Sequence, residues 1–400
     1  MKKRGSSAAP SLIQRAYTSY GERFSTKLYE KVIADPRLEP TLTWTKIAAL
    51  ALSSLINLST IALLLGGVWC IVATWFAPGF VLLGVLMILM GLEVRPHAAS
   101  LSPEARALDP DACPHTYAAV TRIADAMQVP MPHRIVITPA FSASVIRIGA
   151  TRRRYVFLGL PLLYVLDPQE RVAAIAHELG HEANGDPLRG LLPQSAMQTL
   201  GVWFSLFAPV RSTPQAVTPT TIRTPTTIGA ALARVGNAIG SVVFRALRRV
   251  VWAISRTLLN LMWADSQRAE YLADAWSRRA AGSDAAIRAL EALQRQGEFS
   301  LVVQHAALQK AKGTELFEQL GERFNKLVVA GSPPDDDAGG RLDATHPPMP
   351  LRIAFLSTKT EFPMITLGTG ESMALDDEMA CLIEPIGRTL VDQYLSSIYR

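Results

Sequence analysis

The sequence predicts a mainly α-helical protein with a small mixed β-sheet and an N-terminal transmembrane helical hairpin. Three observations lead to this fold class. Residues 47–92 contain no charged side chain, and the run is long enough for two passes across a bilayer. Residues 134–158 hold short β-branched segments of the kind found in strands. A capped, alanine-rich segment at 167–181 and amphipathic segments downstream predict helices.

The overall composition is not that of an ordinary soluble enzyme. Apolar residues make up 49% and charged residues 18% of the chain, which indicates membrane segments joined to a globular part. The net charge is +6, and beside apolar segments an anionic lipid surface is a better partner than nucleic acid. The three cysteines, Cys70, Cys113 and Cys381, form no metal-type pair and no disulfide framework, as is typical of a reducing compartment.

The N-terminal segment, residues 1–46, carries more basic than acidic side chains. It is too long and too mixed in charge for the first part of a secretory signal peptide. We interpret it as a cytoplasmic basic tail that contains a short helix at about Leu12–Ile33.

The predicted transmembrane hairpin, residues 47–93, divides at residues 75–79, where a proline and a glycine interrupt the apolar run. This predicts an outgoing helix at Ile47–Thr74 and a returning helix at Phe80–Leu92. Basic residues flank both ends, so the positive-inside rule places both ends in the cytoplasm. The alternative is a buried hairpin in the core of a soluble protein.

Residues 94–190 predict the first part of a globular domain. An amphipathic helix is expected at Pro114–Met127. The β-branched content predicts three strands, at Arg134–Thr138, Phe141–Ile148 and Arg154–Leu158.

The most informative stretch of this part is Ala-His-Glu-Leu-Gly-His at residues 176–181. The two histidines, His177 and His181, are four residues apart, so they share one helical face and can hold one zinc ion. Glu178 can then reach a water on that metal as a general base. Asp167 and Pro168 are typical of the cap and first position of such a helix. Chance matches to this motif occur, but here it lies in a capped helix that follows a predicted strand.

Residues 191–263 predict a membrane-associated insertion. The uncharged run at 191–210 is about long enough to span a bilayer, but its proline and glutamines leave spanning and surface binding equally open. Residues 212–227 predict a Thr- and Pro-rich linker. An apolar helix is expected at 228–263, with an arginine stripe that favours contact with an anionic membrane over a water-facing packed helix. The stripe comprises Arg234, Arg245, Arg248, Arg249 and Arg256.

The second part of the globular domain, residues 264–330, supplies a third candidate ligand. A catalytic zinc needs three protein ligands and an open position for water. Glu270 is the candidate ligand, and Asp274, one turn later, is the candidate partner that fixes the tautomer of a ligand histidine. Further helices are expected at Ala285–Gln296 and Leu301–Leu327.

With these motifs in place, the chain resembles the integral-membrane gluzincins that include the bacterial heat-shock protease HtpX and the CAAX prenyl endopeptidases. The resemblance covers roughly residues 130–355. The matching pieces are His177-Glu178-Leu179-Gly180-His181, Asn184-Gly185-Asp186, Arg268-Ala269-Glu270-Tyr271-Leu272-Ala273-Asp274, and Thr345-His346-Pro347-Pro348 with Arg352-Ile353.

The resemblance implies a zincin-like metalloprotease domain with one Zn²⁺ per chain and with Glu178 as the base. Its implied zinc ligands are His177, His181 and Glu270. It also implies that His346 stabilises the oxyanion or caps the zinc in a resting state, and that Arg352 is a structural or cleft arginine. Ser142-Ala143-Ser144 stands where the family's cleft strand has an asparagine and an alanine, so substrate preference stays open. A strand in this position often accepts the peptide substrate as a further strand.

The last segment, residues 331–400, begins with a stretch rich in Gly, Pro and Asp at 331–344. We predict a flexible loop there that leads to His346. A mobile loop that carries a catalytic side chain would be a gate, and an unconstrained surface loop is the alternative. A closing helix is expected at Asp377–Tyr399.

We therefore expect a membrane-bound zinc metalloendopeptidase, in a bacterial inner or plasma membrane, with its catalytic domain in the cytoplasm. Polypeptide substrates from membrane-protein quality control or processing are favoured over CAAX peptides, because the chain lacks the many spans that a prenyl-peptide chamber requires. A catalytically silent or gated scaffold is one alternative, although the intact Glu178 argues against it. A zinc hydrolase of a non-peptide substrate such as lipid is another. The sequence makes no prediction about the oligomeric state.

Overall fold

A computed structural model describes residues 12–34, 43–95, 105–149, 151, 153–183, 190–207, 241–330 and 346–398. Most of these residues are helical, and a four-stranded sheet formed by the described strands packs beside the helix that carries His177. The predicted fold class, mainly α with a small mixed sheet, is confirmed. The predicted linker at 212–227, the predicted loop at 331–344, the Asn184–Asp186 motif and Arg234 lie outside the described residues.

The elements are numbered in chain order. The helices are α1 (Leu12–Ala34), α2 (Trp44–Ala73), α3 (Pro78–Val94), α4 (Pro114–Ala126), α5 (Leu160–Val165), α6 (Pro168–Ala183), α7 (Leu191–Leu206), α8 (Ser241–Ala281), α9 (Ser283–Gln294), α10 (Gln296–Leu308), α11 (Gly313–Val329), α12 (Met349–Ser357) and α13 (Thr369–Ile398). The strands are β1 (Arg106–Ala107), β2 (Arg134–Thr138), β3 (Ala143–Ile148) and β4 (Arg153–Gly159).

The helices α2 and α3 pack against each other on either side of a turn at residues 74–77, close to the predicted break. Glycines allow their backbones to touch, since a Cβ on Gly67 would lie 2.7 Å from the carbonyl oxygen of Gly84. Among the described residues, α2 is the one helix that is both long and apolar enough to cross a membrane, and α3 is a shorter apolar helix. The large apolar side chains that these two helices expose are Trp44, Ile47, Leu55, Leu58, Ile61, Leu65, Val68, Trp69, Val72, Phe80, Leu82, Leu83, Val85, Leu86 and Leu92.

The sheet has the strand order β1-β2-β4-β3, with β2 and β4 parallel and the two outer pairs antiparallel. The three strands predicted from sequence are present, with bounds that shift by one or two residues. Strand β3 stands at one edge of the described sheet and contacts α6. Arg147 of β3 forms an ion pair with Glu182 of α6 at 2.7 Å, which ties the edge strand to the helix that carries the histidines.

The helix α6 packs against the last part of α8, and this contact positions the candidate site. Gly180 permits the close approach, because a Cβ there would lie 3.0 Å from the Cα of Ala273. The hydroxyl of Ser277 donates a hydrogen bond to the carbonyl of Ala173 at 2.9 Å. The glycine between the two histidines therefore sets the spacing of the two helices.

The structure corrects three helix predictions. The predicted helix at Leu301–Leu327 is two helices, α10 and α11, and Lys310 between them has a left-handed φ of 52°, a conformation that ends a helix. The apolar helix predicted to end at residue 263 continues through the segment of Glu270, and both lie in one 41-residue helix, α8. The closing helix α13 begins at Thr369, eight residues before the predicted start.

Candidate metal centre

Three side chains from two helices converge in the core of the domain. His177 and His181 come from α6 and Glu270 from α8, and their candidate ligand atoms all lie within 4.8 Å of one another. The Nε2 atom of His181 is 3.4 Å from Oε1 of Glu270, and Nε2 of His177 is 3.6 Å from Oε2. Two imidazole nitrogens and one carboxylate oxygen form a donor set used for catalytic zinc, with a fourth position left for water. The donor chemistry therefore fits a zinc ion.

The carboxylate of Asp274 orients one of these histidines. Its Oδ1 atom lies 3.0 Å from Nδ1 of His177, so Nδ1 donates the hydrogen bond and Nε2 faces Glu270. A carboxylate that accepts from the far nitrogen of a ligand histidine fixes the ring and raises its basicity. Asp274 is only 2% exposed, so this contact is shielded from water.

Arg352, from α12, supplies the positive charge that the buried carboxylates need. Its Nε and Nη2 atoms donate to the two oxygens of Asp274 at 2.8 and 2.7 Å, a bidentate geometry that is among the strongest in proteins. Its Nη2 atom also lies 3.4 Å from Oε2 of Glu270. Arg352 is 5% exposed, and removal of either partner would leave an uncompensated charge in the core.

These contacts shift the pKa values at the centre. Burial lowers the pKa of His177, but hydrogen bonds to Asp274 and Glu270 overcome this effect and raise it to about 9. Burial raises the pKa of Glu270, but the charges of His346 and Arg352 hold it well below its usual range. Burial also raises the pKa of Asp274, but the charge of Arg352 and its hydrogen bonds outweigh this effect, so the pKa of Asp274 is lowered. Without a metal ion His177 is therefore protonated at neutral pH, and metal binding must displace that proton.

The two remaining predicted residues border the centre. Glu178 follows His177 on α6 and is partly exposed. His346 precedes α12, and its Nδ1 atom lies 2.9 Å from Oε2 of Glu270 while 61% of its side chain remains exposed. The structure thus brings His346 to the centre from the solvent side. The Arg147–Glu182 pair was missed from the sequence, because no spacing rule joins a strand residue to a helix residue 35 positions later.

A cavity of about 270 Å³ opens at the other end of α6. Val172 and Ile175 of α6 line it together with residues of α4 and α13. None of its described lining residues belongs to the metal cluster. The converging ligand atoms, rather than this apolar space, therefore mark the candidate active site.

The centre combines two histidines and a glutamate on one helix with a carboxylate from a second helix. This arrangement is typical of zinc metallopeptidases. A model of peptidase family M48 matches residues 115–360, more than half of the chain. The chain therefore belongs to peptidase family M48, the family of HtpX and of CAAX-protease-like zinc metalloproteases. The resemblance drawn from the motifs is confirmed. No curated protein and no solved structure gave a match.

Proposed function

We propose that the protein is a zinc-dependent endopeptidase. The observation that carries the proposal is the convergence of His177, His181 and Glu270 within 4.8 Å, next to an intact Glu178 in a metallopeptidase family. A zinc ion bound there would polarise the scissile carbonyl and make its bound water more acidic.

The chain's own residues supply the proton transfers. Glu178 takes the proton of the attacking water and delivers it to the leaving amine as general base and acid. His346, exposed and next to Glu270, donates a hydrogen bond to the carbonyl oxygen on which negative charge develops. Asp274 and Arg352 hold the ring of His177 in its orientation.

Polypeptide substrate would bind in an extended form along β3. This strand is at an edge of the described sheet and is tied to α6 by the Arg147–Glu182 pair. Addition of a strand uses main-chain hydrogen bonds, so it tolerates many side-chain sequences. That tolerance suits unfolded or membrane-derived segments, and we assign the enzyme to membrane-protein quality control or processing.

The test compares cleavage of an unfolded protein such as casein by the detergent-purified chain and by Glu178→Gln, with metal content measured for both. We expect the variant to keep its metal and to lose about 10²- to 10⁴-fold in rate, the range for general acid–base catalysis. The control is Glu322→Gln, the same change on an exposed glutamate of α11 that pairs with Lys326. It should cleave like the wild type.

Other outcomes would point to the two alternative functions. Hydrolysis of a phospholipid or ester with no peptide cleavage would indicate a non-peptide hydrolase. Full metal content with no hydrolysis of any substrate would indicate a silent scaffold. Equal cleavage by the wild type and Glu178→Gln would remove Glu178 from the mechanism.

We also propose that α2 and α3 anchor the protein in a membrane, with the catalytic domain in the cytoplasm and α8 in contact with anionic lipid. The first part of α8 exposes Val250 and Trp252, each 55% accessible, beside the exposed Arg245 and Arg249. An apolar surface that also carries cations fits the interface of an anionic membrane.

Tryptophan quenching tests this contact in lipid nanodiscs. Brominated lipids should quench the fluorescence that is lost in Trp252→Phe, and brominated phosphatidylglycerol should quench it more than brominated phosphatidylcholine does. Arg245→Gln and Arg249→Gln should each weaken the anionic preference about fivefold, since a basic residue near such a surface contributes about 1 kcal/mol. Absence of quenching at Trp252 would place this surface in water.

A further inference from the structure

The helix α1 precedes the region that the family model matches, yet it forms part of the core of the domain. The match covers residues 115–360, and α1 ends at Ala34. Ser25 and Val32 of α1 are each 1% exposed, and they lie about two turns apart on one helical face. A segment from outside the matched region is therefore packed into the protease domain.

Three side-chain contacts join α1 to the downstream part of α8, and each partner on α8 comes one helical turn after the one before it. The contacts are Phe24 with Trp263 (ring centroids 5.0 Å apart), Ser25 with Gln267 (a buried hydrogen bond of 3.4 Å) and Tyr29 with Tyr271 (ring centroids 6.3 Å apart). Residues four apart share a helical face, so α1 lies along one stripe of α8. This stripe adjoins the face of α8 on which Glu270 and Asp274 reach the metal centre.

Tyr271, which directly follows the candidate ligand Glu270, is held by packing alone. Its side chain is completely buried, and its hydroxyl makes no hydrogen bond within the described part of the chain. Its ring packs against the rings of Phe355 and Tyr29, with centroids 5.3 and 6.3 Å away. Because no polar contact fixes this ring, its position depends on its apolar neighbours, and α1 supplies one of them.

The same packing extends to α12, the helix that carries Arg352. Val32 belongs to one buried apolar cluster with Tyr271 and Phe355, and Phe355 comes about one helical turn after Arg352. Arg352 in turn holds the carboxylate of Asp274 at 2.7 Å. The helix α1 therefore packs against both helices whose charged side chains meet beside the histidines.

We propose that α1 is a positioning element for the metal centre, with Tyr29 and Val32 as its positioning residues. These two side chains hold α8 and α12 in place against each other, and that placement sets where Glu270 and Arg352 stand. A displacement of about 1 Å at a reacting group can cost on the order of 10²-fold in rate, so a helix that touches neither metal nor substrate can control the reaction. The part of this proposal that concerns rate rests on the proposed endopeptidase function, whereas the part that concerns metal binding does not.

Two matched variants of the full chain in nanodiscs test the proposal. Val32→Asn places a neutral amide in the buried cluster, and Ile33→Asn makes the same kind of change at the next residue, whose side chain is 46% exposed. Neither variant alters the charge around the centre. Metal affinity is measured by competition titration, the geometry of the ligands by the visible absorption of the cobalt-loaded protein, and kcat and KM by cleavage of casein.

We expect Val32→Asn to lower metal affinity by about tenfold, the lower end of the range for loss of a group that supports a ligand. Its cobalt spectrum should change, and its kcat should fall by at least ~10-fold with little change in KM, because the proposed substrate strand β3 is tied to α6 instead. Ile33→Asn should match the wild type in every readout. If Val32→Asn does not fold, Tyr29→Ala should show the same losses and Tyr29→Phe, which keeps the ring, should rescue them.

A purely stabilising role for α1 gives a different result. A lower midpoint of thermal unfolding in Val32→Asn, with wild-type metal affinity, cobalt spectrum and kcat, would overturn the proposal. Equal losses in Val32→Asn and Ile33→Asn would overturn it as well, because the effect would not come from the buried face. If the wild type binds metal but cleaves no peptide, the titration and the cobalt spectrum still decide the role of α1, so failure of the proposed function is distinguishable from failure of this proposal.

Discussion

The two halves of the helix α8 differ in the kind of side chain that they expose and bury. In its upstream half, residues 241–260, Val243, Val250 and Trp252 are 60%, 55% and 55% exposed. In its downstream half, residues 261–281, polar side chains are buried, with Gln267, Glu270 and Asp274 at 1%, 4% and 2% exposure. Both halves belong to one continuous helix, so the difference comes from their surroundings.

The two halves of α8 need different surroundings. Charges can be buried in the downstream half because Arg352 and His177 neutralise and hydrogen-bond them. Within the described residues, the upstream half packs through one face, where Val251 and Leu258 meet α2 and α7. Its other face exposes apolar side chains, an arrangement that marks a membrane or protein contact. The buried polar side chains of α8 thus depend on partners within the chain, and for its exposed apolar side chains we propose contact with a lipid surface.

The largest effect is expected where the downstream half meets α6. Glu270→Gln keeps the shape of the side chain but removes the anionic ligand. We expect metal affinity to fall by at least ~100-fold, because loss of even an outer partner of a ligand costs 10- to 100-fold. Metal-competition titration measures this loss. Glu178→Gln, which changes a glutamate outside the ligand set, should retain its metal. Wild-type affinity in Glu270→Gln would remove Glu270 from the centre.

Substitution of one tryptophan in each half compares how much the two halves contribute to the free energy of unfolding. Trp263, 7% exposed, packs edge-on against Phe24 with ring centroids 5.0 Å apart, and Trp263→Ala should cost about 3–5 kcal/mol in the free energy of unfolding. Trp252→Ala removes an exposed ring near Arg256 and should cost less than about 1 kcal/mol. Urea unfolding in detergent measures both. Similar costs for the two variants would contradict the proposed difference in surroundings.

A pH dependence is expected in the downstream half. The pKa of His177 is raised to about 9, above its ordinary value of about 6.5. Its proton therefore stabilises the metal-free fold fully below pH 6.5, and that stability is lost as the pH rises through 9. The depressed pKa values of Glu270 and Asp274 act oppositely, since their contribution is lost only as the pH falls below about 4.

The metal must displace this proton, so the apparent metal affinity should rise about tenfold per pH unit from pH 7 to 9 and then level off. Competition titrations across this range measure the slope, and unfolding of the chelator-treated protein should show the opposite trend. A metal affinity that does not change with pH would contradict the raised pKa.

Much of the fold and part of the centre could be predicted because the signals are local. The spacing of His177 and His181, and of Glu270 and Asp274, follows from helical geometry alone. The strands and the apolar hairpin follow from side-chain type and from the absence of charge. Two of the three helix errors had local causes. Lys310 adopts a left-handed conformation that the sequence does not predict, and α8 continues across a change in composition.

The sequence by itself determined the motif, the ligand types and the apolar hairpin, because periodicity and composition act over one or two turns of chain. His346 and Arg352 were reached only through resemblance to a family, since no spacing connects them to His177. Only the tertiary structure decided that Arg352 neutralises Asp274, that Gly180 sets the distance between α6 and α8, and that α13 forms a wall of the cavity beside α6. Those contacts join residues far apart in the chain, and their energies depend on burial and distance, which no single segment encodes.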